Sequence, residues 1–196
     1  MIRSQVRPAI VLTLLLCVLT GFAYPGLVTG LARMLFPHQA GGSLIERNGQ
    51  VIGSALIGQP FAGAGYFHGR PSASGYNGAA SMATNKGPTD LKLADTLVKQ
   101  AVDSAAALDG VKSGQVPADL ATGSGSGLDP HISPASAAVQ VARVARERGL
   151  SEEAVRAAVA RHTEDRTFGI LGDPRVNVLL LNLALDGMTE RRKDGQ

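Results

Sequence analysis

Pro8-Ala9-Ile10-Val11-Leu12-Thr13-Leu14-Leu15-Leu16-Cys17-Val18-Leu19 begins a stretch that carries no charged residue until Arg33. About 20 apolar residues wound as a helix cross the hydrocarbon core of a bilayer. A charge at that depth costs a few kcal/mol, so an uncharged run of this length predicts a membrane-spanning helix over Ala9 to Leu31. Arg3 and Arg7 precede the run with no acidic residue beside them. Arg33 follows it alone, and the next charges are Glu46 and Arg47. The excess of basic residues on the N-terminal side places that side in the cytoplasm. The expected organisation is a short cytoplasmic segment 1–8, a span 9–31, a linker 32–42 and an extracytoplasmic domain 43–196. A second reading stays open, in which the chain is a cleaved, soluble periplasmic binding or hydrolytic protein. Arg3 and Arg7 would be the basic start of a signal peptide, Ile10 to Leu19 its apolar core, and Gly21-Phe22-Ala23 a small-x-small cleavage site. Leu27, Val28 and Leu31 continue the apolar run past that site, which favours an anchor that stays.

Composition narrows the function classes. The chain has 196 residues, enough for one domain and an appendage. Its net charge is only +3, although the pI is near 9.3. Basic and acidic residues are mixed, apart from Arg191-Arg192-Lys193 at the tail. With 5 Phe, 3 Tyr and no Trp, there is no basic face interleaved with aromatics of the kind that binds nucleic acid. Cys17 is the single cysteine and lies in the apolar run, so no internal disulfide and no cysteine metal cluster follow from it.

The exported part reads as α+β, a small sheet followed by about four helices. Asn48-Gly49 sits between Ser43–Arg47 and Gln50–Ile57, and Asn-Gly accepts the positive φ angles of a tight hairpin turn. From Gln59 to Thr89 the chain is rich in Gly, Ser, Ala and Asn, too long for a silent connection. Asp90 to Leu108 carries Leu91, Ala94, Leu97, Val98, Ala101, Val102 and Leu108 at helical spacing. After a second loop, Val116 to Pro130, Ser133-Pro134 reads as an N-cap followed by Pro at the first helical position. That helix runs to Arg148, where Gly149 ends it. Ser151 caps a helix to about His162, with Glu152 and Glu153 near its positive end. Asp173-Pro174 is expected to start the last helix. Val176, Leu179, Leu180, Leu183 and Ala184 would be its buried face, and Gly187 its end.

Two loop stretches hold the candidate functional residues. Thr122-Gly123-Ser124-Gly125-Ser126-Gly127-Leu128-Asp129-Pro130-His131-Ile132-Ser133-Pro134 is glycine-rich, but a phosphate-cradling loop needs Lys and Ser or Thr after its last Gly. Here Leu128-Asp129 follow, and a carboxylate repels phosphate. His131 beside Asp129, with Ser124 and Ser126 near, has the letters of a nucleophile pair without the strand that presents one. A tight turn leading into the Ser133 helix is the simpler reading, and no catalytic residue is assigned. His38, His68 and His162 are scattered without i, i+4 spacing, so no metal site is expected. In the other stretch, Tyr66-Phe67-His68-Gly69-Arg70-Pro71-Ser72 and Tyr76-Asn77 set Tyr and Arg among small residues. Such residues anchor interfaces or cover a core.

These stretches carry a family resemblance. Tyr66 to Ala73, Tyr76-Asn77, Asn85-Lys86-Gly87-Pro88-Thr89, Val116-Pro117-Ala118-Asp119-Leu120, Ser124 to Pro134 and Pro174-Arg175-Val176-Asn177-Val178-Leu179-Leu180-Leu181-Asn182 resemble the C-subunit family of the Kdp potassium-transporting ATPase. They stand in the family's order behind the same N-terminal span, across nearly the whole chain. Ser-Gly-Ser-Gly-Leu-Asp-Pro-His-Ile-Ser-Pro is its most specific part. Lys86 stands where the family leads one to expect an uncharged residue, and Gly123 where it leads one to expect Ala. The resemblance implies an inner-membrane, single-pass, non-catalytic subunit of a pump that couples ATP hydrolysis to potassium uptake. Its partners would be a P-type ATPase subunit, a channel-like subunit, a very small fourth subunit and the lipid bilayer. It further implies a catalytic chaperone that raises the ATP affinity of the ATPase subunit, often described as ATP-binding. With the domain outside, ATP and K+ are handled by the complex, and any effect on ATP affinity is indirect. The candidate partner loops are then Tyr66, Phe67, Arg70, Pro71, Ser72, Tyr76 and Asn77; Asn85, Gly87 and Pro88; Ser124, Gly125, Ser126, Gly127, Asp129, Pro130, His131 and Ser133; and Asn177.

Anchor and signal peptide differ in one measurable way. Intact-mass analysis of the membrane-extracted chain is expected to retain the segment through Leu31. A mature N-terminus at Tyr24 would establish cleavage.

Overall fold

The structure, a computed structural model, describes residues 2–194, and the side chains of residues 3–190 within them. The basic run Arg191-Arg192-Lys193 lies outside the residues whose side chains are described. The chain gathers into two compact units, Met1–Ile52 and Gly53–Gln196.

The first unit is mostly helix. α1 (Ile2–Val18) passes through one π-helical turn, Leu19–Ala23, into α2 (Tyr24–Leu35). Together they make a helix over Arg3–Leu35, 33 residues long, that contains the expected span. At about 1.5 Å per residue, 33 residues reach roughly 50 Å, more than a hydrocarbon core. The π turn has a local cause. Pro25 has no N–H for the carbonyl four residues back, and its ring crowds that carbonyl. A wider turn just before it relieves the crowding. Leu14, Phe22 and Leu27 are 61, 76 and 62% exposed. Such surface is stable in lipid and unfavourable in water. α3 (Pro37–Ala40) and a glycine pair follow. They lead to the hairpin of β1 (Leu44–Arg47) and β2 (Gln50–Ser54). Asn48 and Gly49 turn it with φ of 54° and 76°, as a type I′ turn requires. β2 stops at Ser54, short of the Ile57 expected from sequence, because Ser54 Oγ accepts the Leu56 N–H at 3.1 Å and bends the chain.

The second unit is α+β. A π-helical segment, Lys92–Val98, runs into α4 (Lys99–Asp109). Short α5 (Ala118–Ala121) and β3 (His131–Ile132) precede α6 (Pro134–Arg148) and α7 (Glu152–Arg161). β4 (Thr163–Glu164), β5 (Arg175–Asn177) and α8 (Val178–Asp194) complete the chain. Ser133 Oγ accepts the Ser136 N–H at 3.1 Å, Ser151 Oγ the Ala154 N–H at 3.2 Å, and Gly149 closes α6 in the left-handed region. These caps stand where the sequence puts them. The core lies between α6, α7 and α8 and is filled by Val141, Val144, Val155, Ala158, Leu181 and Leu185 around Phe67.

The end of the chain departs from expectation. Residues 175–177 are the central strand of an antiparallel sheet ordered β3-β5-β4, with Ile132 opposite Val176 and Thr163 opposite Val176. Pairing on both edges holds them extended, so the last helix starts at Val178 rather than after Pro174. Its buried residues are consequently Val178, Leu179, Leu181, Asn182 and Leu185, while Leu180, Leu183 and Ala184 are half-buried. The helix also continues through Gly187, since a single glycine costs a helix only about 1 kcal/mol against Ala. None of the apolar stripe expected over Asp90 to Leu108 is buried: Leu97, Val98, Ala101 and Val102 are half-buried, Leu91 is 74% exposed, and the buried residue of the segment is Ala106, off the stripe.

One segment inside this unit has no strand partner yet runs through the core. Phe67 is fully buried, and its N–H donates to Asn182 Oδ1 at 2.8 Å while Asn182 Nδ2 donates to its carbonyl at 2.9 Å. The next residue is held likewise: the His68 N–H donates to Gln140 Oε1 at 2.8 Å, and Gln140 Nε2 donates to the His68 carbonyl at 3.1 Å. Two side-chain amides thus replace two neighbouring strands. Arg143 donates to the Ala64 carbonyl, to the Tyr66 carbonyl at 2.8 Å and to Asp109 at 2.7 Å. Arg148 donates to the Gly65 carbonyl and stacks over the Tyr66 ring at 4.6 Å. Replacing Asn182 by Leu keeps the volume and strips two buried backbone groups of their partners. At about 1–3 kcal/mol for each group, thermal unfolding of the detergent-purified chain is expected to fall by about 2–6 kcal/mol in stability. A change under about 0.5 kcal/mol would mean that water replaces the amide.

Candidate functional site

Clamped at Phe67 and His68, the first loop carries Arg70 to Asn77 against the glycine-rich loop. Arg70 Nη1 meets Asp129 Oδ2 at 3.0 Å. Its Nε and Nη2 donate to the Thr122 and Gly123 carbonyls at 3.3 and 3.2 Å. Ser72 Oγ donates to the Gly127 carbonyl at 2.6 Å and accepts the Tyr76 N–H at 2.9 Å. Tyr76 Oη donates to the Arg70 carbonyl at 2.5 Å. Gly58 enters beneath, its N–H on the Leu128 carbonyl at 2.8 Å. A Cβ there would lie 2.6 Å from both the Asp129 carbonyl oxygen and the Tyr76 ring. Gly127 has φ of +67°, and a Cβ on it would sit 2.5 Å from the Met82 carbonyl oxygen. Each glycine is therefore required by close approach or by backbone angle.

The glycine-rich loop bonds to itself. Ser124 Oγ accepts the Gly127 N–H at 2.9 Å, and Ser126 Oγ accepts the Leu128 N–H at 3.1 Å. Those hydroxyls hold a turn, and those N–H groups are already paired. Asp129 Oδ1 accepts the His131 N–H at 3.0 Å. Pro130 is buried and its carbonyl accepts the Val178 N–H at 2.9 Å. Ser133 hands its N–H to Asp119 at 2.7 Å, and Ser136 Oγ reaches the same carboxylate at 2.5 Å. Asn177 is 3% exposed and donates to the Ala55 carbonyl at 2.8 Å.

The expected residues therefore divide. Arg70, Ser72, Tyr76, Gly127, Asp129 and His131 come together. Phe67 and Asn177 belong to the core, and Tyr66 lies under Arg148. Pro71 is half-buried beside an open apolar cleft of about 300 Å³ that includes Leu108 and Leu120. Asn77, Asn85, Gly87, Pro88 and Gly125 are exposed. A second cleft of about 390 Å³ opens between Arg70, Asp129, His131 and Arg175. Sequence reasoning missed Asp119, Gln140, Arg143, Arg148 and Asn182. A lone Asn amid the leucines of α8 was the available signal. Among the described residues no group of three His, Cys, Asp or Glu is placed to hold a metal ion.

Electrostatics agree with a stitched pair of loops. The Asp129 carboxyl is held at about 2 by the His131 ring, the His131 N–H and Arg70, against burial, which pushes it up. The ring contact is long, 3.5 Å, so the 3.0 Å N–H and guanidinium bonds are the firmer support. Burial, with the Asp129 charge, pushes the Tyr76 phenol up to about 12. Burial also lowers His68 below the usual imidazole range.

The arrangement defines a class: an α+β domain on a single N-terminal apolar helix, whose marked loops bind each other. Comparison with known proteins carries this further. The family model "KdpC: K+-transporting ATPase, c chain" matches residues 6–187. Proteins named potassium-transporting ATPase KdpC subunit are similar over nearly their full length. One from Gemmatimonas aurantiaca is 59% identical over 95% of this chain and 94% of its own. One from Sorangium cellulosum is 59% identical over 94% and 98%, and one from Geobacter metallireducens 52% over 93% and 97%. The chain belongs to the KdpC family.

Asp129 supplies a pH test. Its folded pKa lies below the unfolded value, so its stabilisation is present above about pH 4 and is lost as pH falls towards 2. Its partial exposure discounts the effect. Asp129→Asn is expected to lower stability by about 1–2 kcal/mol at pH 7, a gap that closes between pH 4 and 2. A gap independent of pH would show that the carboxylate charge is not what stabilises.

Proposed function

We propose that this chain is the accessory C subunit of a Kdp-type potassium-transporting ATPase complex, anchored as a single-pass inner-membrane protein with its N-terminus in the cytoplasm. The carrying observation is the near-complete family match to residues 6–187, and the 33-residue apolar helix with Arg3 and Arg7 before it supports the orientation. The domain after the linker then lies outside, near the potassium entrance, as a scaffold or extracytoplasmic gate. Its partners are the P-type ATPase subunit, the channel-like subunit and the small fourth subunit. The chain itself is non-catalytic. It stabilises the complex and raises the ATP affinity of the ATPase subunit as a catalytic chaperone.

That last effect is indirect. ATP is cytosolic and the domain is not, so the two communicate as a coupling free energy through the assembly. The site chemistry supports this reading: Arg70 is engaged by Asp129, and the loop N–H groups of Gly127 and Leu128 are taken by Ser124 and Ser126. A phosphate would have to displace them.

A C-terminal tag on the full chain tests the orientation. In spheroplasts the membrane-bound tag is expected to be cut by external protease. Protection until lysis would place the domain inside and return the Ser124–His131 loop to nucleotide handling. In the purified complex, loss of this subunit is expected to weaken ATP binding about 5–150-fold, the usual range of allosteric coupling, and unchanged binding would remove the chaperone role.

A further inference from the structure

The turn between β4 and β5 has no part in the site above. Thr167-Phe168-Gly169-Ile170-Leu171 closes on itself: the Thr167 N–H donates to the Leu171 carbonyl at 2.9 Å, and the Leu171 N–H donates back at 3.0 Å. Phe168 and Gly169 turn the chain with φ of 55° and 76°. Two consecutive positive φ angles favour Asn, Asp or Gly at the first position, and a bulky aromatic residue there is an outlier. Strain of this kind collects where a side chain must be presented. Phe168 is 88% exposed, Ile170 75% and Leu171 57%. A closed turn thus holds three large apolar side chains in water, at a position whose backbone would prefer Asn.

The rim indicates what covers them. Arg166 pairs with Asp173 at 3.0 Å and Arg175 with Glu164 at 2.7 Å. Asp165 adds a third carboxylate, so residues 163–177 hold three acids against two bases. A tip that enters lipid is flanked by free Lys and Arg that meet anionic headgroups, whereas these guanidiniums are taken and the balance is negative. A pocket in a protein needs no basic flank. It gains instead from a preorganised aromatic anchor, which loses little freedom on binding.

We propose that the Phe168–Leu171 tip is a docking plug that inserts into an apolar pocket on a companion polypeptide of the potassium-transporting complex. This rests on the subunit reading above. The test uses the tagged full-length chain co-expressed with its companions and pulled down from detergent, as wild type, Phe168→Asn and Phe168→Leu. Asn suits the positive φ, so the Phe168→Asn chain is expected to unfold at the wild-type temperature or higher. Its recovery of companions is expected to fall about tenfold or more, with Phe168→Leu within about threefold of wild type, as for an apolar anchor. Wild-type recovery by Phe168→Asn would overturn the plug. Failure of the wild-type chain to recover any companion would instead overturn the subunit reading. For lipid, Phe168→Trp gives the chain its only Trp. In vesicles of phosphatidylethanolamine and phosphatidylglycerol, without companions, its emission is expected to stay at the water-exposed wavelength. A blue shift there would assign the tip to the bilayer.

Discussion

A backbone segment that enters a core without strand partners must find its hydrogen bonds elsewhere, because an unpaired buried N–H or C=O costs about as much as the bond it lacks. Residues 64–68 are that segment. Asn182 and Gln140 each give one donor and one acceptor to a single residue, as a neighbouring strand does. Both amides are practically inaccessible, at 0 and 1% exposure. The Arg143–Asp109 pair is as deeply buried, with side-chain exposures of 1 and 3%. Breaking such a pair costs about 3–5 kcal/mol, because it leaves a charge uncompensated. Helices α4, α6 and α8 are thereby tied to one stretch of loop.

The rest of the domain hangs from this clamp. Once Phe67 and His68 are fixed, Arg70 stands two residues beyond the second of them and meets Asp129 and two carbonyls. Asp129 in turn fixes His131 at the start of β3, and β3 places Ser133 as the cap of α6. The order runs from core amide to loop to cap. The two marked loops are stitched to each other through Arg70–Asp129 and Ser72–Gly127. Asn77 and Asn85 are exposed.

The sequence carries a legible signal where the physics is local. The uncharged run, the Asn48-Gly49 turn, and the Ser133, Gly149 and Ser151 caps each depend on a few neighbouring residues. The features without a sequence signal depend on distant residues. β3, β4 and β5 have two or three residues each, too short for any alternation, and they exist only because they pair. Arg175-Val176-Asn177 read as helix for that reason. The stripe from Leu91 to Leu108 has helical spacing, yet amphipathicity records which face is apolar, not whether anything covers it. Arg70 and Asp129 were legible as marked residues, but their mutual pairing was not, since 59 positions separate them. Phe168 gave no signal, because a strained aromatic turn is visible only as a backbone angle.

The two units impose different requirements on the complex that contains them. The leucines exposed on α1 and α2 are stable in lipid and unfavourable in water, and the helix is long and apolar enough to cross a bilayer. The domain, with its loop polar groups paired internally, gains little from capturing a charged small molecule, since each new bond replaces an old one. Apolar surface is different: Phe168, Ile170 and Leu171, and the half-covered face of residues 91–109, lose water without breaking any bond when they are covered. On the proposed subunit reading, binding free energy for this domain would come mainly from protein–protein burial. A subunit that binds companions at such surfaces, and binds one state of the pump better than another, shifts ATP affinity by that difference alone. No contact with nucleotide is needed for it.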